Sequence, residues 1–503
     1  MQSKIKNSLR NIIFGTLAKI LQILLPFIVR TIVIYKLGIE YAGINSLFVS
    51  IFNVLNLTEL GIGAALNFLM YKPVAENDTE TVNSIINIYN RWYRNIGLVI
   101  CIIGLAITPF IEFFVHEQIS DSLNLKLLYL IYFSGMLAPY FIAPYTAVVL
   151  SVHQREDLIS KIASITIIFQ SILQIAAVML MNSYYLFSVA IAVASFFNSF
   201  VLYFCYHRRY PQYKCCGKMP EKLMHKLKIE VNALFMHKIG NTVLFSADNL
   251  IISRILGLTA LGIYGNYYLI ITSLSGFIDI IFNSIKASVG NSLVKNSSEK
   301  NFEDFKRIYF WNITLLGVCT SVLICVFQKF IELWVGSESM MPFHTMLLIS
   351  ILFYVLRMGD TVGMYRTALG LWEKDKWRPI ISSFCNLIVN IILTNLIGID
   401  GVIISSIICL IVFHYMNTAR ILHNSYFKIS SKWYYLNHIR SDIINGLAGL
   451  ISVIFCYTFI DVAGFGGIIL CGISSAIISA VIIFAFNIKN EYVKEAYKFV
   501  CRK

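Results

Sequence analysis

Tyr206–Glu230 reads YHRRYPQYKCCGKMPEKLMHKLKIE, and this stretch divides the chain. It carries seven Lys or Arg, two Pro and one Gly between two long apolar regions. A basic segment punctuated by Pro and Gly is a connection bathed in water, here a linker between two lobes. Moving outward from it in both directions, apolar stretches of about 20 residues recur, the length that crosses a bilayer. Fourteen are found, near 11–35, 41–69, 92–114, 124–150, 158–181, 184–205, 231–255, 261–290, 308–332, 343–370, 378–398, 400–419, 441–461 and 465–487. Six precede the linker and eight begin after it.

The cations set the orientation. The N-terminus, the even-numbered gaps with their adjoining helix ends, and the C-terminal tail hold 31 of the 41 Lys and Arg. The odd-numbered gaps and their adjoining helix ends hold three: Lys36, Lys126 and Lys329. By the positive-inside rule both termini are cytoplasmic, and an even span number agrees. The expected fold is therefore an all-α integral membrane protein with 14 transmembrane helices, N-in and C-in.

A chain of 503 residues that is 57% hydrophobic and 14% charged is not a water-soluble globular protein. Its net charge of +14 sits beside membrane spans, so anionic lipid headgroups account for it better than nucleic acid. The basic N-terminus imitates a signal peptide, but the apolar run continues past residue 30, contains Lys19 and Arg30, and lacks a small-residue cleavage site. Of eleven cysteines, eight lie inside spans and none in an outer loop, so neither a disulfide framework nor a metal site is expected.

An internal repeat accompanies the linker. Leu37-Gly38-Ile39-Glu40-Tyr41-Ala42-Gly43-Ile44 has a counterpart 219 residues later in Leu256-Gly257-Leu258-Thr259-Ala260-Leu261-Gly262-Ile263. Each lies at the turn between the first two spans of a half. Tyr145 with the polar run 153–157, and Tyr365 with the run 372–376, echo each other at a similar offset. Two pseudo-symmetric six-helix bundles follow, at 1–218 and 219–430. Two extra C-terminal helices and a basic tail fill 431–503. Two such halves related by an axis along the membrane normal enclose a central cavity suited to alternating access.

Seven basic residues lie within the spans (Lys19, Arg30, Lys238, Arg254, Lys286, Arg357 and Arg366), with four acidic ones (Glu59, Asp248, Asp279 and Asp360). Each costs about 2.5–3.5 kcal/mol at a span centre on insertion scales, so lipid-facing placement of all of them is excluded. Lys238, Arg254, Lys286 and Arg366 lie towards span ends, where snorkelling competes with an inward role. Arg357 is too deep for that. Asp360 follows at i+3, which leaves an internal ion pair and a cavity-facing anion site both open. Lys19 and Arg30 flank Pro26, where the first helix is expected to bend and line a gate. Intramembrane Asp and Glu either bind Na⁺, relay protons or pair with neighbouring cations. Tyr264, Tyr267 and Tyr268 read as an interfacial aromatic belt, and most intraspan Asn and Gln as packing groups.

Four stretches carry a family resemblance: LGIEYAGIN (37–45), LTELGIG (57–63), YKPVAEN (71–77) and DNLIISRILGLTALGIYGNYY (248–268). With the span count and two halves, they resemble the oligosaccharide flippases of the MATE-like MOP superfamily. That resemblance implies a membrane flippase, not an enzyme. It would move an undecaprenyl-diphosphate-linked oligosaccharide from the cytoplasmic to the outer leaflet of the bacterial inner membrane, alongside polysaccharide polymerase machinery. It also implies no cofactor, with a Na⁺ or H⁺ coupling ion left open. Depth and charge then assign Arg30 and Arg357 to the diphosphate, with Lys19, Arg366 and Lys286 assisting. Asp248, Asp360, Glu59, Asp279 and Pro26 are assigned to coupling or gating. A glycosyltransferase or polymerase is disfavoured because the first outer loop, Lys36–Glu40, has no paired carboxylates. A drug-exporting MATE transporter should prefer an acidic cavity, and a lipid II flippase is the nearer alternative.

Overall fold

The computed structural model describes the chain apart from residues 1, 57–61, 117–122, 222, 226, 228–239, 241, 243–245, 372, 461, 463 and 502–503. Among the described residues there is no strand. Seventeen helical segments carry the fold. They are α1 (Gln2–Lys36), α2 (Ile39–Leu55), α3 (Ile62–Ala75), α4 (Thr79–Ile107), α5 (Leu125–Phe141), α6 (Thr146–Val152), α7 (Glu156–Met181) and α8 (Tyr184–Arg209), then α9 (Gly257–Lys295), α10 (Ser298–Val335), α11 (Phe343–Met358), α12 (Asp360–Ala368), α13 (Arg378–Ile397), α14 (Ile399–Phe427), α15 (Lys432–Phe459), α16 (Gly464–Phe486) and α17 (Glu491–Cys501). Residues 246–255 form a further helical stretch before α9.

Among the described residues, eleven helices are long and apolar enough to cross a membrane, α11 and α12 counting as one, or twelve if α5 and α6 also form one span. Two of the fourteen expected spans account for most of the difference. The stretch 41–69 is divided between α2 and α3 around undescribed residues, and most of 231–255 lies outside the described residues. The α5–α6 pair is bent by 51°. Pro139, Pro144 and a positive φ of 44° at Ala143 explain the bend, since each interrupts the helical hydrogen-bond ladder. By contrast, α1 runs as one helix through Pro26.

Side-chain caps start several helices: Asp78 accepts from Thr81 N at 2.9 Å, and Asn124 from Leu127 N at 3.0 Å. Chain contacts divide the protein into two compact units, Met1–Gly265 and Asn266–Lys503. The first unit is centred on stacked rings of α2 and α5, where Phe52 lies 5.4 Å from Tyr129 and 6.2 Å from Phe133. In the second, Phe305, Tyr365 and Tyr434 are buried together, Phe305 being 5.2 Å from Tyr365 and 6.0 Å from Tyr434. Buried Cys325, Cys456 and Cys471 pack α10, α15 and α16 against one another.

Residues 210–217 of the linker pack against the first unit. Lys214 N donates to Asn83 Oδ1 at 2.8 Å, and Asn87 donates to Gly217 O at 2.9 Å. The Tyr210 ring lies 4.3 Å from His153, and the Tyr213 hydroxyl is 3.3 Å from His153 Nε2.

The tyrosine belt is corrected. Tyr264 and Tyr267 are buried rather than interfacial. The Tyr267 hydroxyl donates to Gln328 Oε1 at 2.8 Å and accepts from Met341 N at 2.9 Å, joining α9 to α10 and the chain before α11. A phenol with both hydrogen-bonding roles filled is stable in a core.

Candidate functional site

Five of the ten residues singled out for binding or coupling line one cavity in the second unit. Asp279, Lys286, Arg357, Asp360 and Arg366 surround a space of about 230 Å³ with Asn283, Thr367 and His414. Three local features place them. On α9, Asp279, Asn283 and Lys286 fall at i, i+4 and i+7, one helix face. Between α11 and α12 the helix breaks at Gly359, which brings Arg357 and Asp360 to the rim from two separate helices. In α14 the backbone adopts a π-helical turn over Leu410–Met416, which turns His414 towards this cavity.

Arg357 is held between two carboxylates. Its Nη1 lies 2.8 Å from Asp279 Oδ1, and its Nη2 lies 2.8 Å from Asp360 Oδ2. The arginine side chain is 12% exposed, whereas Asp360 is 22% and Asp279 48% exposed. The fork of a guanidinium matches two oxygens in a plane, so a diphosphate oxygen can replace either carboxylate without new geometry. The half-exposed Asp279 is the easier partner to displace.

Arg366 belongs to a second, tighter cluster. It and Arg378 both bond to Asp375 Oδ2, Arg378 through Nε at 2.9 Å, and all three side chains are at most 7% exposed. Arg378 also donates to His414 Nδ1 at 2.7 Å, which fixes that nitrogen as an acceptor. Three basic groups (Lys286, Arg357 and Arg366) and two carboxylates (Asp279 and Asp360) line the cavity, an excess of one positive charge, and the Arg378–Asp375 pair behind Arg366 leaves that balance unchanged. Asp375, Arg378 and His414 were not singled out from sequence. Asp375 sits in the polar run 372–376 and looks like loop, and its i+3 spacing to Arg378 was the available signal.

The remaining candidates lie elsewhere. Arg30 Nη2 donates to Gly262 O at 2.9 Å, and a side chain at Gly265 would collide with the same guanidinium. Lys19 is partly buried eleven residues earlier on α1, about 16 Å along the helix. Asp248 is buried, and the adjacent Asn249 donates to Ser50 Oγ at 2.8 Å. Glu59 and Lys238 lie outside the described residues. Among the amides, Asn386 donates to Ser406 across α13 and α14 at 3.3 Å, a packing role.

The Gly262 carbonyl that Arg30 meets belongs to the repeat. Gly38 and Gly257, 219 residues apart, both turn the chain with positive φ, 117° and 91°. Five residues on, a Cβ on Gly43 would stand 2.2 Å from Leu258 O, and one on Gly262 would stand 2.4 Å from Ile39 O. Ile39 and Leu258 are themselves equivalent at the offset of 219. The two motifs therefore touch reciprocally, each glycine against the other's helix start, as a local two-fold axis requires. Only glycine permits that approach.

No curated protein matches the chain by sequence. The lipid II flippase MurJ in an inward closed conformation is similar in structure, with a TM-score of 0.66 and 15% identity over 95% of this chain and 98% of that one. An inward-facing multidrug resistance MATE transporter of the MOP superfamily has a TM-score of 0.62 and 13% identity over 80% of this chain and 96% of that one. A Vibrio cholerae MATE transporter has a TM-score of 0.58 and 13% identity over 85% and 99% of the respective chains. At those identities the likeness establishes a shared fold. Residues 8–285, more than half of the chain, match the family described as polysaccharide biosynthesis protein. With the membrane helices, this places the chain in the polysaccharide biosynthesis protein family, on the fold of the MOP superfamily.

Proposed function

We propose that this protein moves an undecaprenyl-diphosphate-linked oligosaccharide from the cytoplasmic to the outer leaflet for surface polysaccharide biosynthesis. The observation that carries the reading is the cationic cavity in which Arg357 is shared between Asp279 and Asp360. A diphosphate entering there displaces Asp279 and takes over one prong of the guanidinium fork. Lys286, exposed at the same cavity, adds a mobile positive charge. The displaced carboxylate is then free to take a proton or Na⁺, which makes Asp279 and Asp360 the coupling groups. Family membership supports a polysaccharide substrate, and the fold shared with a lipid II flippase supports a lipid-linked one.

The loop cations support cytoplasmic termini, and family membership supports the bacterial inner membrane. The repeat turns at Gly38 and Gly257 then lie at the outer face. Their interlocked glycines, with Arg30 on the Gly262 carbonyl, hold these two turns together there. In this reading Arg30 guards the exit in the closed state and meets the diphosphate only after that side opens. Lobes at 1–218 and 219–430, with 431–503 appended, are the moving bodies. A lipid II flippase is the second reading, favoured by the 95% coverage of this chain.

The direct test is equilibrium binding of an undecaprenyl-diphosphate oligosaccharide to the protein in nanodiscs. Arg357→Lys keeps the charge but loses the fork, and should weaken binding about tenfold, the loss of roughly 1.4 kcal/mol expected for one charge-assisted hydrogen bond. Unchanged affinity would remove Arg357 from the binding site.

A further inference from the structure

A second, larger cavity lies in the same unit, and the proposed flipping does not use it. It is a trench of about 740 Å³ between α11 and α15, floored by α10 and closed at one end by the π-helical turn of α14. On α15 the lining residues run from Tyr435 to Val453 at helical spacing, about 27 Å of one face. Its walls are almost wholly apolar. Phe343, Ile351, Ile439 and Leu450 stand exposed along its mouth, so it opens on the apolar surface that the bilayer covers. Gly446 leaves open space on the α15 side, where any side chain would fill the trench.

One carboxylate interrupts this surface. Asp442 is midway along the α15 face, and its side chain is 42% exposed. Tyr354 donates to its Oδ1 at 2.7 Å, and Asn445 donates to the Tyr354 hydroxyl at 3.3 Å. His438 Nε2 lies 3.5 Å away, while Nδ1 of the same ring is 2.8 Å from the Tyr309 hydroxyl. Among the described residues no Lys or Arg lies within ion-pair distance of Asp442. The tyrosines 354, 415 and 435 line the trench around it.

A carboxylate facing an apolar groove is costly to desolvate, and a groove meant only for hydrocarbon gains nothing from it. Its described neighbours supply hydrogen bonds and one titratable ring, His438, but no fixed positive charge. Aromatic faces beside an acid are the setting that receives an organic cation, through charge pairing and cation–π attraction. A phosphate on the ligand would be repelled, which excludes zwitterionic phospholipid headgroups as the best fit.

We propose that the α11–α15 trench binds an amphiphilic monocation from the bilayer, a single ammonium on an apolar body, with Asp442 as its counter-ion. Asp442 itself lies on α15, outside the twofold repeat, and the proposal does not depend on how the lipid-linked oligosaccharide is handled.

The test is binding of radiolabelled dodecyltrimethylammonium to the full-length protein in phosphatidylcholine nanodiscs, with empty nanodiscs subtracted. One saturable site per chain is expected, weakened at least tenfold in Asp442→Asn and unaffected in Arg357→Lys. Leu450→Trp, which fills the trench and leaves the carboxylate in place, should abolish it. Dodecanol, with the same chain and no charge, should compete poorly. Equal competition by dodecanol, or full binding in Leu450→Trp, would overturn the proposal and make the trench a hydrocarbon groove. Should Asp442→Asn fail to fold, those two measurements still decide.

Discussion

At the scale of single residues, two largely buried arginines differ because their carboxylates differ in exposure. Arg366 and Arg378 share Asp375, whose side chain is fully buried. Removing that carboxylate leaves two desolvated cations facing each other, so Asp375→Ala should cost roughly 3–5 kcal/mol in thermal unfolding of the nanodisc-embedded protein. A cost below about 1 kcal/mol would show that water reaches this cluster. Arg357 is instead clamped by partners that solvent reaches, one of them half exposed. In the proposed function, that difference casts Arg357 as the exchangeable partner and Arg366 as a structural one. Sequence placed Arg357 and Asp360 on one face by their i+3 spacing, and the pair forms. Asp279 as its other partner was out of reach, because no spacing rule links residues 78 positions apart. Likewise, depth alone could not separate Arg366 from the ligand-facing set.

At the scale of elements, the repeat motif shows why a short pattern is informative. In LG-x4-GI, the first glycine supplies the turn and the second permits contact between two helix starts. Gly43→Ala and Gly262→Ala should each destabilise by about 1–3 kcal/mol, the range for overpacking. Because they wedge one contact from its two sides, the double variant should cost less than the sum, measurable as a coupling in thermal unfolding. Strict additivity would mean the two sites do not share that contact. The linker offers a pH-dependent counterpart. Burial pushes His153 below its ordinary value of 6.5, so the undocked ring binds a proton more readily than the docked one. Docking of residues 210–217 is then complete above about 6.5 and weakens as pH falls below it. Faster amide exchange of this segment at pH 5.5 than at 7.5, after correction for intrinsic rates, is the expected result, and His153→Phe should remove the difference.

At the scale of the whole molecule, hydropathy and loop charge made the membrane class and helical architecture legible, because burying a backbone in lipid leaves helices few alternatives. The chemistry of the cavity was less so. Five of its residues were singled out by charge inside apolar helices, but His414 escaped as ordinary core, and Asp375 and Arg378 in the cluster behind Arg366 escaped as loop and helix end. The Tyr264–Tyr268 cluster was misjudged for the opposite reason: aromatic residues near a span end suit both an interface and a packed core. The central claim is that this fold carries a lipid diphosphate between leaflets. Leaflet exchange of a fluorescent undecaprenyl-diphosphate oligosaccharide in proteoliposomes tests it most directly. The account predicts exchange well above that of empty vesicles, and a large loss in Arg357→Lys. Exchange no faster than in empty vesicles, with the protein folded and a coupling gradient applied, would contradict it.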